Sequence, residues 1–144
     1  MNYKNILVAV DGSDEANRAF DKACNVAKDH DARLIIANVI DSRSYASAVT
    51  YDRTVIERVE DEMKTFLDEC ETKAKEAGVT NIIKATDYGS PKVKIPKDMA
   101  GEFDADLIVC GATGLNAVER FLIGSVSSNI TRLATCDVLV VRND

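Results

Sequence analysis

The segment from Asp106 to Asn129 constrains this chain most: an apolar strand, Leu107 to Cys110, runs into a glycine-punctuated loop and then a helix start. A run that short, uncharged and stopped by Gly111, suits a strand covered on both faces of a parallel sheet. Function in such a sheet begins where the strand stops. Gly111 and Gly114 permit a tight turn and close backbone approach to a ligand, and Gly124-Ser125 repeats that permissiveness before the next helical pattern. A helix N-terminus leaves about four N–H groups unpaired and carries roughly half a positive charge, so it attracts anions such as phosphate. Ser125-Val126-Ser127-Ser128-Asn129 contains hydroxyls and an amide but no carboxylate, which leaves this terminus open to an external anion.

A second terminus supplies the contrast. Ile6 to Val10 is an uncharged strand followed by Asp11-Gly12-Ser13 and by a helix with Asp14 and Glu15 in its first turn. Those carboxylates answer the dipole internally. Phosphates therefore belong at Ser125, and Asp11, at the end of a neighbouring strand, suits hydrogen bonds from ribose hydroxyls, as acidic residues do in nucleotide-binding α/β folds.

The pattern Gly111-x-x-Gly114, nine residues, then Gly124-Ser125 resembles the nucleotide-binding signature of the universal stress protein family. The likeness extends to Ile6-Leu-Val-Ala-Val-Asp-Gly-Ser13 and to Asp137-Val-Leu-Val-Val141, so it covers nearly the whole chain. Family members with this signature bind ATP, and a second branch lacks both. The resemblance implies an α/β fold with a doubly wound, five-stranded parallel sheet of order 3-2-1-4-5 and helices on both faces, similar to the adenine nucleotide α-hydrolase arrangement. Carried onto this chain, it implies nucleotide-binding positions at Ala9, Val10, Asp11, Val39, Gly111, Gly114, Asn116, Gly124, Ser125, Val126 and Ser127. Val39 corresponds to a family position that contacts adenine; a strand-end valine serves equally well as core. ATP, or another adenine nucleotide, is the expected ligand, with Mg2+ or Mn2+ on its phosphates, no protein metal site and no catalytic residue.

The 144 residues, 1–144, fit one domain able to bury a sizeable core. With no leader and no apolar run near the ~20 residues of a membrane span, a cytoplasmic protein free of membrane is expected. A net charge of −6 and a pI near 4.8, without a basic run, argue against binding nucleic acid. Cys24, Cys70, Cys110 and Cys136 are dispersed and read as reduced, mostly buried thiols. Cys110 adjoins the candidate site, but core packing is the better reading than redox chemistry. His30, the only histidine, falls in a charged stretch at a helix end and reads as a solvated surface residue.

Between the termini the chain alternates strands and helices. A helix from Ser13 to about Asp29 buries Ala16, Ala19, Phe20, Ala23, Val26 and Ala27, with Ser13 as N-cap. Arg33 to Ile40 is a second strand, and Asp41 to Asp52 a loop able to cover the nucleotide, with Tyr45 and Tyr51 as surface aromatics or base-stacking groups. Ile56, Val59, Met63, Phe66, Leu67, Cys70, Ala74 and Ala77 keep helical spacing up to Gly78, as for a helix packed on a sheet rather than a coiled coil. Ile82 to Asp87 is a third strand and Tyr88-Gly-Ser-Pro91 a turn. Pro96 removes a backbone donor, so the next helix should start at Pro96 or be kinked there, a departure from the family's unbroken helix. The last strand, Val138 to Val141, is apolar and lies at a sheet edge, where pairing with a second copy is expected to form a homodimer. Asp137 stands where a proline commonly precedes this strand in the family.

Two function classes follow. A regulatory module would bind ATP and change its dimer surface or loop on occupancy. An enzyme would need groups that stabilise a transition state, yet Ile123-Gly124-Ser125 lacks the lysine of a P-loop, and Asp11-Gly-Ser-Asp14 is not the Ser-Gly-Gly-x-Asp-Ser loop of ATP pyrophosphatases. Little or no hydrolysis is expected; the alternatives are a nucleotide-free dimeric scaffold and a slow ATPase. Arg120 and Asn116 are phosphate-loop residues or solvated surface residues.

Overall fold

A computed structural model of the chain describes residues 2–41, 53–112 and 124–142. The strands are β1 (Asn5–Ala9), β2 (Arg33–Ile40), β3 (Ile82–Tyr88), β4 (Leu107–Gly111) and β5 (Asp137–Val141). The helices are α1 (Asp14–His30), α2 (Arg53–Glu76), α3 (Pro91–Val93) running through a π-helical segment (Lys94–Met99) into α4 (Ala100–Glu102), and α5 (Ser125–Leu133). All strand pairs are parallel, in the order β3-β2-β1-β4-β5. This is the doubly wound, adenine nucleotide α-hydrolase-like arrangement that the family resemblance implies.

Alternation of side chains along uncharged strands produces one core on each face of the sheet. Ile6, Val8, Leu34, Ile36, Leu107 and Val109 meet α1 and α2 through Phe20, Ala23, Ala27, Leu67, Cys70 and Ala74. Leu7, Ile35, Ala37, Ile108 and Cys110 meet the other helical layer through Ile95, Met99, Ala100 and Ile130. Small residues on α1 let that helix lie close to the sheet. The C-terminal half of α2 supplies its buried side chains, whereas Ile56, Val59 and Met63 stay half-buried. Lys84 on β3 ties the same helix down through Asp68 at 2.6 Å and Glu71 at 3.2 Å.

Two expectations need correction. The helical segment after β3 begins at Pro91, with Ser90 as its N-cap residue, which removes the late start at Pro96 and leaves the break in α-helical regularity there. Pro96 is accommodated inside it, buried, by the π-helical turns Lys94–Met99. Proline has no N–H to donate and its ring would strike the carbonyl of residue i−4 in an α-helix, so wider turns relieve both problems. His30 is not simply solvated: its Nδ1 accepts the Tyr3 N–H at 3.0 Å, and the two rings lie 5.3 Å apart. Tyr3 Oη also donates to Asp137 at 2.7 Å, so the segment before β1 is pinned to α1 and to β5.

Candidate functional site

In this sheet β1 has β2 on one side and β4 on the other, so the chain order reverses there. Crossovers leave β1 and β4 in opposite directions at such a point, which opens a crevice beyond their carboxyl ends. Buried polar residues report the same end of the sheet. Among the described residues only Ser13, Asn38 and Ser127 are buried polar or charged, each 3–4% exposed, and they follow β1, sit near the end of β2 and follow β4. A buried polar group is more informative than an exposed apolar one, because it must be hydrogen-bonded or costs free energy.

The β1 end is a closed turn. Asp11 Oδ1 accepts the Ser13 N–H at 2.9 Å, Gly12 takes a left-handed φ of 86°, and Ser13 Oγ accepts the Ala16 N–H at 3.1 Å as the N-cap of α1. Asp14 and Glu15 follow in the first turn. The α1 terminus is thus answered by its own side chains, as the sequence indicated. Asp11 itself is exposed, and among the described residues its Oδ2 accepts from no protein donor.

The β4 end is built differently. Gly111 has an ordinary negative-φ backbone, and its missing side chain serves packing: a Cβ there would lie 2.9 Å from the Glu15 carbonyl oxygen and 3.1 Å from Glu15 Cβ. Gly111, read from the sequence as a point of close approach to a ligand, is in the structure also a point of close approach to the first turn of α1. Beyond it, the Ala112 carbonyl accepts both the Gly124 N–H at 2.7 Å and Ser127 Oγ at 2.8 Å, while the Ala112 N–H donates to Val141 at 2.9 Å. These bonds clasp the two ends of residues 113–123 and fix the start of α5 beside β4. Gly114, Asn116 and Arg120 fall within 113–123, and Tyr45 and Tyr51 within 42–52, all outside the described residues.

Gly124 is the N-cap of α5, with φ −66° and ψ 164°, an extended conformation open to any residue, so left-handed freedom is not why a glycine stands there. It contributes no side chain to cap the helix, and the first turn holds no acidic residue. Ser125 is exposed, Val126 half-buried and Ser127 buried. Among the described residues, the α5 terminus therefore keeps N–H groups without a side-chain cap and its positive dipole end, in contrast to α1. Ala9, Val10 and Val39 stand at the same end of the sheet: Ala9 and Val39 pack on the α5 side and Val10 on the α1 side. Cys110 lies 3% exposed beneath, and burial pushes its thiol up to about 12, which suits core packing and not nucleophilic or redox chemistry.

Asn38 escaped the sequence reading. Its Nδ2 donates to the Val10 carbonyl at 3.0 Å, and its Oδ1 is the one buried side-chain N or O atom without a partner among the described residues. The visible signal was a lone amide inside the apolar run Leu34-Ile-Ile-Ala-Asn-Val-Ile40. No described helix is long and apolar enough to cross a membrane.

The universal stress protein family description matches residues 2–142. A Staphylococcus haemolyticus relative, itself named for the universal stress proteins, is 53% identical over 144 residues, covering 100% of this chain and 87% of its own length. The structure of universal stress protein UspA from Lactobacillus plantarum superposes with a TM-score of 0.87 at 31% identity, covering 99% of both chains. A universal stress protein crystallised in complex with cAMP superposes with a TM-score of 0.71 at 34% identity, covering 99% of this chain and 98% of that one. The chain therefore belongs to the universal stress protein family.

Proposed function

We propose that this protein binds ATP across the crevice between the ends of β1 and β4 and acts as a dimeric, nucleotide-dependent regulatory module in the stress response, with little or no hydrolysis. The observation that carries the reading is the asymmetry of the two helix termini: α1 is capped by Ser13 and faced with Asp14 and Glu15, while α5 has neither a side-chain cap nor an acidic first turn. The triphosphate, with Mg2+ or Mn2+ on its outer oxygens, belongs at the Gly124, Ser125, Val126 and Ser127 amides. Asp11, one carboxylate oxygen already holding its turn, offers the other to the ribose hydroxyls. Val39 presents the backbone against which the base lies. Support comes also from the relative at 34% identity whose structure holds cAMP, an adenine nucleotide.

Among the described residues at this end of the sheet, the groups on offer are backbone amides, the Asp11 carboxylate and serine hydroxyls, a set suited to binding. Binding, stabilisation and a change in surface are what a bare helix terminus can supply. Dimerisation through β5 would couple occupancy to a partner surface, since β5 is hydrogen-bonded to the strand that carries the site. The test is thermal melting with and without Mg-ATP: at a hundredfold excess over Kd, ATP should stabilise the fold by about 2.7 kcal/mol. An unchanged melting temperature at millimolar nucleotide would reject the reading, and phosphate release at catalytic rates would replace it with an enzyme.

A further inference from the structure

Backbone parity shows why Asn38 stands where it does. The Arg33 N–H donates to Lys4 at 2.8 Å, and Ala37 accepts the Val10 N–H at 2.9 Å, so odd-numbered residues of β2 turn their backbone groups toward β1. Leu34 donates to Asn81 at 2.8 Å and Ile40 accepts from Gly89 at 3.0 Å, so even-numbered residues turn theirs toward β3. Val39 by this alternation faces β1. Yet the last registered pair is Ala9 with Ala37, and after Val10 the chain leaves through the Asp11-Gly12 turn. Among the described residues, Val39 is left without a β1 partner for the N–H donor and C=O acceptor that it turns to the side β1 has vacated.

The acceptor placed to extend the ladder to the Val39 amide is the Val10 carbonyl, and the Asn38 side chain occupies it at 3.0 Å. We propose that Asn38 is a positioning residue for the base: by holding the Val10 carbonyl it ends the β1–β2 ladder and keeps the Val39 backbone pair free to read the edge of adenine. The proposal rests on the nucleotide reading above. Adenine offers an acceptor at N1 beside a donor at its 6-amino group, complementary to an N–H beside a C=O. Guanine offers the reverse, N1–H beside O6, and is rejected because both of its groups would meet like groups. Among the described residues Asn38 Oδ1 has no partner at 3% exposure, so the buried amide is not accounted for by apolar packing.

The experiment compares ATP, GTP and inorganic tripolyphosphate by titration calorimetry on the wild-type chain and on Asn38→Leu, which keeps the bulk and removes the donor. Asn38→Leu should lose about tenfold in ATP affinity, the equivalent of roughly one hydrogen bond, and bring the ATP-to-GTP ratio toward one. Tripolyphosphate, which reads only the α5 end, should bind the variant as it binds the wild type. Asn38→His, whose ring N–H has a similar reach, should recover most of the ATP preference; if the leucine variant does not fold, Asn38→Ala reads the same ratio. An unchanged ATP-to-GTP ratio in the donor-free variant overturns the proposal, as does an equal loss for all three ligands. Wild-type protein that binds ATP and GTP alike overturns it while leaving the nucleotide site standing, whereas wild-type protein that binds neither ATP nor tripolyphosphate removes the site itself.

Discussion

A methyl group at Gly111 has nowhere to go. Its nearest neighbours would be the backbone carbonyl of Glu15 at 2.9 and 3.0 Å, which no side-chain rotation can withdraw. Gly111→Ala is therefore expected to destabilise the protein by about 1–3 kcal/mol, the usual cost of overpacking, seen as a lower urea midpoint with an unchanged slope. Gly101→Ala makes the contrast, since a Cβ on that α4 glycine meets nothing within 4 Å. There the lost freedom of the unfolded chain should stabilise by about 0.4–1 kcal/mol. Residue by residue, then, the sequence located Gly111 as special but not its packing against Glu15, because only the packed position of α1 shows which neighbour needs the space. Asn38 is the converse case: a lone amide in an apolar strand is visible in the sequence, but its partner, 28 positions away at Val10, is not.

At the scale of elements, the α5 terminus was the most legible feature, because capping and first-turn charge are local properties. Ser125→Glu tests it. A carboxylate in the first turn should favour the helix by about 0.3–1 kcal/mol and raise the melting temperature slightly, yet repel the triphosphate and abolish most of the ATP-induced shift. Loss of the shift together with a gain in intrinsic stability would separate binding from folding, and an undiminished shift would show that the phosphates sit elsewhere. Gly124→Val, at a backbone angle that valine can adopt, should likewise fold and lose binding through its side chain alone. The segment after β3 was less legible. Pro96 announced an irregularity, but a kink, a late start and a π-helical turn are all local answers to a missing N–H, and burial of Ile95, Pro96 and Met99 against the sheet selected the last.

For the whole molecule, two properties emerge that no single element holds. β5 is an edge strand whose Val138 and Val140 point their N–H groups away from β4, since Val141 accepts from Ala112 and the pattern alternates. Val140→Pro should thus spare the ladder to β4 and block pairing with a second copy, giving monomers by sedimentation at the micromolar concentration at which the wild type is expected to give dimers. Wild-type monomers under the same conditions would remove the dimer. The second property is alkaline sensitivity. Burial pushes Cys24 and Cys110 up to about 12 and Cys70 to about 11, from an ordinary value of 9.0. The folded state keeps protons that the unfolded chain releases above pH 9, so stability is whole below that pH and falls as pH rises toward 11–12. Cys110 alone should contribute a loss of about 1.4 kcal/mol per pH unit, measured by urea unfolding from pH 8 to 10.5, and Cys110→Ala should flatten that slope. What the sequence alone determined was the order of strands and helices, the apolar runs that build a two-faced core, and the open α5 terminus, because periodicity, glycine and charge act within a few residues. What only the tertiary structure decided was the packing role of Gly111, the anchoring of His30 to Tyr3, the π-helical passage through Pro96 and the grip of Asn38 on Val10. Each of these depends on which distant atom comes within about 3 Å, and a linear pattern carries no such distance.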